Sequence, residues 1–190
     1  FVKQLMIDYP DWGYAFISDD LKHVNAFPPP YSGSGDPSYN VVKDKLRGRM
    51  VSTMAWKLSR DEALIIEFDN PGSFWMLTNM GVFMNSMDYL YRPVSYTPSR
   101  TKVDGDGKIR MIMTHDDPGY HNWIDTSGFD TGSICARNVM SDVFIDYRTR
   151  VVKRSEISVV LPADSAMVTK ELRTQLMLQR FHAIQQRYSV

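Results

Sequence analysis

The chain has 190 residues, 43% of them hydrophobic and 23% charged, ordinary values for one globular domain or one domain with a small appendage. Lys+Arg and Asp+Glu are both 22, so the formal net charge is zero and makes no electrostatic case for a nucleic-acid or acidic-lipid partner. A chain this long buries roughly 70% of its unfolded surface and holds a core without disulfide or metal, while its low net charge leaves association into a homo-oligomer unopposed.

No apolar run approaches the roughly 20 residues of a membrane span, and no signal peptide is visible, so the compartment is open. The chain begins at Phe1 rather than methionine, which suggests a fragment or a processed product. Phe1, Leu5 and Met6 share a helical face until Pro10 and Gly13 interrupt it. Residues 1–39 therefore read as a short helical segment followed by the Pro/Gly-rich linker "NAFPPPYSGSGDP".

Residues 40–165 read as strands. In "LRGRMVSTMAWKLS", Leu46, Met50, Met54, Trp56 and Leu58 alternate with Arg47, Arg49, Thr53 and Lys57, so one set faces a core. A polar turn at 59–62 leads into an apolar strand, Ala63 to Phe68, and "NPGS" breaks the chain before "FWMLTN". In "SMDYLYRP", residues 86–93, Asp88 and Arg92 can share one face of a strand, with Tyr89 and Tyr91 on the other. "VDGDGKIRMIMT" has the form of a hairpin in which Asp104 to Gly107 supply positive-φ residues. Further strands are expected at 133–138, where Cys135 reads as a small buried hydrophobe, and at 141–149 and 155–160. Many short strands separated by Gly, Pro and Asp turns predict a mainly β fold, an antiparallel sandwich or barrel.

Residues 166–190 change character. Leu172, Leu176, Met177, Phe181, Ile184 and Tyr188 recur at helical spacing; Thr169 can cap the helix, and Glu171 and Arg187 suit its two ends. The expectation is an amphipathic C-terminal helix that packs this apolar stripe, with Phe181 in its middle, on the sandwich.

Several stretches resemble a known family. "DEALIIE", "FWMLTN", "SMDYLYRPVS", "DGDGKIRMIMTHDDPGYHNWIDTSG" and "LPADSAMVTKELR" are similar to the C-terminal domain of the bacterial domain of unknown function 1214 family, over about residues 40–190. The resemblance implies a β-sandwich of jelly-roll character and a frequent upstream domain, and it brings no established activity. Where relatives carry a longer aromatic run, this chain has Met80, Met84 and Met87, a softer lining if the region faces a pocket.

The densest polar run is "HDDPGYHNWIDTSG", residues 115–128. Such a loop can be structural, its Asp and Asn side chains bonding backbone amides around a Pro-Gly turn while Trp123 plugs the end of the sandwich. The same residues can be read as a site. His115 or His121 would serve as general base, Asp116 or Asp125 would orient the imidazole, and Arg137 would hold an anion or carbonyl. His115, Asp117 and His121 are suitable metal ligand types, but their spacing matches no zinc pattern, and "DGDG" lacks the glutamate of a calcium loop. No metal or other cofactor is therefore called for. Tyr89, Tyr91, Arg92 and Trp123 are the candidates for a shallow ligand groove. The leading reading is a ligand-binding or assembly module. The alternative is an enzyme acting on a polar or sugar-like substrate through a His/Asp/Arg acid–base site in 115–137.

Overall fold

The computed structural model describes residues 24–27, 49–139 and 145–188, together with Lys3. The N-terminal helical segment, most of the linker and residues 140–144 lie outside the described residues.

Among the described residues the period-two patterning becomes eight strands: β1 (Arg49–Lys57), β2 (Glu62–Asp69), β3 (Phe74–Met80), β4 (Ser95–Tyr96), β5 (Lys108–Thr114), β6 (Trp123–Asp125), β7 (Thr131–Val139) and β8 (Arg148–Lys153). They form two four-stranded sheets, ordered β1-β7-β3-β4 and β6-β5-β2-β8, and neither closes into a barrel. All pairings are antiparallel except β5 with β6, where Ile112 lies beside Trp123 and Thr114 beside Asp125. The sandwich is thus mixed at this edge, because the chain leaves β5 through a looping connection that brings it back in the same direction rather than through a tight hairpin.

The core lies between the sheets. Met54, Trp56, Trp75, Leu77 and Ile134 point inward from one sheet, and Leu64, Ile66, Phe68, Ile109, Met111, Met113 and Ile124 from the other. The β2 run is apolar on both faces because both are covered: Ala63 and Ile65 join Ile112, Ile157 and Leu161 in a second, smaller cluster behind the sheet. That cluster corrects the strand expected at 155–160. Arg154–Glu156 form a 3-10 turn and Ile157–Val160 a short helix, α1. Ile157 and Leu161, four apart, then cover one patch of the sheet, which a strand's alternation could not arrange. Glu156 helps to start the turn by accepting the Lys153 backbone N–H at 3.1 Å.

Two loops also differ from expectation. The 104–107 turn forms, with Gly107 at φ 80°, but it is the only one of the four residues with positive φ, and no strand pairs with β5 ahead of it. Arg110 holds the turn instead, bonding Asp104 and Asp106 at 2.7 Å each and Glu67 at 2.8 Å. Residues 88–92 are a turn rather than a strand, closed by Arg92 N–H on the Asp88 carbonyl at 3.1 Å and Tyr91 N–H on the Asp88 carboxylate at 3.3 Å.

The C-terminal helix, α2 (Lys170–Tyr188), is capped as expected, Thr169 Oγ1 accepting the Leu172 N–H at 3.2 Å. Its packing is not as expected. The residues it buries are Arg173 and Arg180, while Leu172, Leu178 and Tyr188 are exposed and Phe181 is half-buried. The helix docks by guanidinium hydrogen bonds to loop backbone, while Leu176, Met177, Phe181 and Ile184 of the apolar stripe are only half-buried.

Gly132 sits opposite Trp56 in the β1–β7 register. A Cβ there would lie 2.6 Å from the Met80 carbonyl oxygen and 2.7 Å from the Trp56 indole. Gly132→Ala should therefore cost about 1–3 kcal/mol in urea unfolding, with the β spectrum of the folded state retained.

Candidate functional site

The 115–128 loop connects β5 to β6 and continues past it, and most of its polar atoms are engaged with the protein itself. His115 is buried: Nε2 lies 3.2 Å from the Leu58 carbonyl oxygen and Nδ1 3.1 Å from Thr126 Oγ1. With Asp130 at 3.6 Å from Nε2, the Thr–His–Asp sequence has the outline of a hydrolase triad. Thr126 is fully buried, however, and its hydroxyl is closed to solvent in this structure. Asp116 is exposed and pairs with Arg154 at 2.7 Å. Asp117 accepts the Gly119 N–H at 2.9 Å, with Gly119 at φ 81° making the turn.

Asn122 is a buried fastener. Its amide nitrogen donates to the carbonyls of Lys102 and Arg110, and its oxygen accepts the Lys102 N–H at 2.9 Å. His121 Nδ1 lies 3.2 Å from that same oxygen. Burial holds the His121 imidazole below its usual pKa, with the Lys102 and Arg173 charges adding to the effect and the Asn122 bond opposing it. Trp123 is buried, donating to the Thr114 carbonyl at 3.3 Å, and its own carbonyl accepts the Tyr96 hydroxyl at 2.5 Å. Burial pushes that hydroxyl up to about 12.

Asp125 is 3% exposed and accepts Arg92 at 2.9 Å and the Ser127 N–H at 2.8 Å. Burial raises its carboxyl pKa, and the Ser127 amide and Arg92 oppose that. Its backbone carbonyl accepts Asn79 Nδ2 at 3.0 Å, and Asn79 Oδ1 accepts the Trp56 indole N–H at 2.9 Å, so the loop is tied to the centre of the core. Arg137 stands exposed on β7 in the other sheet, opposite Val51 and Met76. Thus His115, His121 and Asp125 share one loop but bond to scaffold groups rather than to one another, and Arg137 lies elsewhere. The described residues contain no group of three or more His, Cys, Asp or Glu that could hold a metal ion.

The ligand-groove candidates separate similarly. Trp123 lies beneath Arg173, whose guanidinium carbon is 5.2 Å from the ring centroid. Arg173 also binds Asp117 through two nitrogens, at 2.8 and 3.1 Å, and donates to the carbonyls of Tyr120 and His121. Arg92 is committed to Asp125, and the neighbouring Tyr188 hydroxyl raises the pKa of Tyr89. Tyr91 is 66% exposed and stacks on Phe181 at 5.5 Å between centroids. This pair forms one wall of an open groove of about 380 Å3, lined also by Leu90, Arg173, Thr174, Met177 and Leu178. Sequence reasoning found Tyr91 but not its partners Leu90 and Leu178, nor the docking role of Arg173 and Arg180. The available signal was the spacing of Arg173, Arg180 and Arg187, seven apart and hence on one helical face.

No protein-family model matches the chain, and no curated protein does. Among solved structures it is similar to an uncharacterised protein from Burkholderia cenocepacia, 31% identical with a TM-score of 0.64, over 78% of this chain and 39% of that one. A protein from Vibrio parahaemolyticus is similar at 20% identity and a TM-score of 0.41, over 54% of this chain and 31% of its own. The chain thus spans well under half the length of either.

Two expectations follow. Arg173→Ala removes a buried guanidinium and leaves the partly exposed Asp117 carboxylate and two carbonyls without their donor, so it should lower stability by about 1–3 kcal/mol, whereas Leu172→Ala, at an exposed position, should change it by less than about 0.5 kcal/mol in the same urea titration. The second concerns His121. Its folded pKa lies below the unfolded value of 6.5, so the unfolded chain takes up the proton first. The stability tied to the neutral ring is complete above 6.5 and is lost as pH falls from there through the folded pKa. His121→Asn should accordingly flatten the fall in unfolding free energy over that window; an unchanged slope would assign it to other groups.

Proposed function

We propose that this domain is a binding module and that its recognition face is the groove between α2 and the Leu90–Tyr91 turn. One observation carries the reading: α2 is secured by buried arginines, which leaves Met177, Leu178, Phe181 and Tyr91 to line an open apolar channel rather than a core. Contiguous exposed apolar surface bounded by polar residues marks interaction sites, and about 380 Å3 falls within the range of ligand grooves. The engagement of His115, Asp125 and Asn122 in scaffold bonds supports binding over acid–base chemistry in 115–137. We further propose that the chain belongs to the domain of unknown function 1214 family, on its "DPGYHNWIDTSG" and "SMDYLYRP" motifs. On this reading the domain assembles with other parts of a longer protein, in keeping with the share of the Burkholderia protein that it matches.

The groove is tested with N-phenyl-1-naphthylamine, a neutral apolar fluorophore. Native protein should bind it saturably, and Leu178→Glu, a change at a half-exposed position, should abolish the signal without altering the circular dichroism or melting temperature. Retained binding in that variant would place the recognition face elsewhere.

A further inference from the structure

We infer that the groove receives an acidic polypeptide segment, with an apolar side chain lodged between Tyr91–Phe181 and Leu178 and an Asp or Glu beside it meeting Arg180 and Arg100. This rests on the groove proposed above and specifies its occupant.

Charge is the argument. The whole chain is formally neutral, yet α2 carries Lys170, Arg173, Arg180 and Arg187 against Glu171 alone among its Asp, Glu, Lys and Arg residues, a local excess of +3 from four minus one. Among the described residues, only Arg173 of these cations has a carboxylate partner, Asp117. Arg180 is 7% exposed, and its acceptors are all neutral: the carbonyl oxygens of Tyr89 at 3.1 Å and Ser95 at 3.0 Å, and Ser95 Oγ at 2.8 Å. Those three bonds leave two of the five guanidinium N–H donors without an acceptor among the described residues. Arg180 is not itself part of the groove's lining, but it is bonded to the Tyr89 carbonyl next to Leu90 and precedes Phe181, so it backs the wall that these two residues form. Burial lowers its pKa, and the neighbouring Arg100, exposed at the end of the 3-10 turn Pro98–Arg100, lowers it further. A desolvated cation next to a like charge is costly, and an approaching carboxylate relieves that cost.

The same excess argues against a second copy of this chain as occupant. Even with Arg173 neutralised by Asp117, a symmetric dimer through this face would set one net-positive helix against another. The groove is also open along the helix, whereas small-molecule sites enclose most of their ligand's surface. A polypeptide segment satisfies both constraints.

The probes are three capped peptides with identical Leu and Phe positions and either Glu, Gln or Lys between them, titrated into the intact 15N-labelled chain and followed by NMR. The Glu peptide should bind about tenfold more tightly than the Gln peptide at low salt, with the Lys peptide weakest and the gap closing as salt is added. The shifted amides should map to α2 and the 90–91 turn. Arg100→Gln combined with Arg187→Gln, both at exposed positions, should shrink the Glu preference while leaving N-phenyl-1-naphthylamine binding unchanged. Equal affinity for the three peptides overturns the inference, as does a preference for Lys or a failure of every peptide to bind protein that still takes the neutral dye. If dodecanoate displaces the dye and the Glu peptide does not, the groove holds an amphiphilic acid: the polypeptide inference fails and the groove stands. Loss of dye binding itself would remove the groove reading beneath it.

Discussion

A guanidinium taken out of water needs acceptors on every side, and Arg173 imposes that need on this end of the molecule. Asp117 supplies the charge, the carbonyls of Tyr120 and His121 supply neutral acceptors, and Trp123 supplies an aromatic face. Each of these lies in one loop, and that loop needs Gly119 at positive φ to bring Asp117 round to the helix. A run of residues that looks reactive in the sequence is, in the fold, a socket for a cation. Backbone pairing reinforces it, with His121 N–H on the Ala166 carbonyl and Val168 N–H on the Gly119 carbonyl, both at 2.8 Å. The chain entering α2 is thereby laid against the loop before the helix begins.

Much of the sandwich was legible in the residues. The alternation of Met54, Trp56 and Leu58 with polar neighbours, and the apolar β2 run, report burial directly, because a strand's two faces are read by parity. Residues 155–160 were not legible. Ile157, Val159 and Val160 there satisfy strand propensity, and only the far side of β2, needing a cap over Ala63 and Ile65, tips the balance to helix. The docking face of α2 was hidden for a different reason. Hydrophobic periodicity ranks arginine as solvent-facing, yet a long aliphatic stem with a planar, multiply bonded head can be buried where carbonyls converge. The parallel β6 escaped notice because three residues carry no periodicity.

The candidate site was half legible on the same grounds. Residue type located the polar cluster, and Tyr91 was identified, but residue type says nothing of partners. Asp125 illustrates the difference. As a lone carboxylate near two histidines it resembles an orienting group; in place it is the outer end of a buried chain running from the Trp56 indole through Asn79, with Arg92 closing it toward solvent. Such a chain rewards one arrangement of the two sheets over others that bury equal apolar area, because any slip strands several donors at once. Ser127, held at φ 58° beside it, shows that the local backbone accepts strain to keep that arrangement.

The sulfur content of the core has a consequence of its own. Met54, Met111 and Met113 are wholly enclosed between the sheets, whereas Met167 is 70% exposed. In the closed molecule an oxidant meets Met167 and leaves the interior untouched. Once the sheets part, the enclosed thioethers become available, and each sulfoxide formed is a polar, chiral group that the dry interior cannot accommodate on closing. Opening under oxidising conditions is therefore ratcheted, because the molecule can leave the native state by heat or denaturant alone but needs a reductase to return.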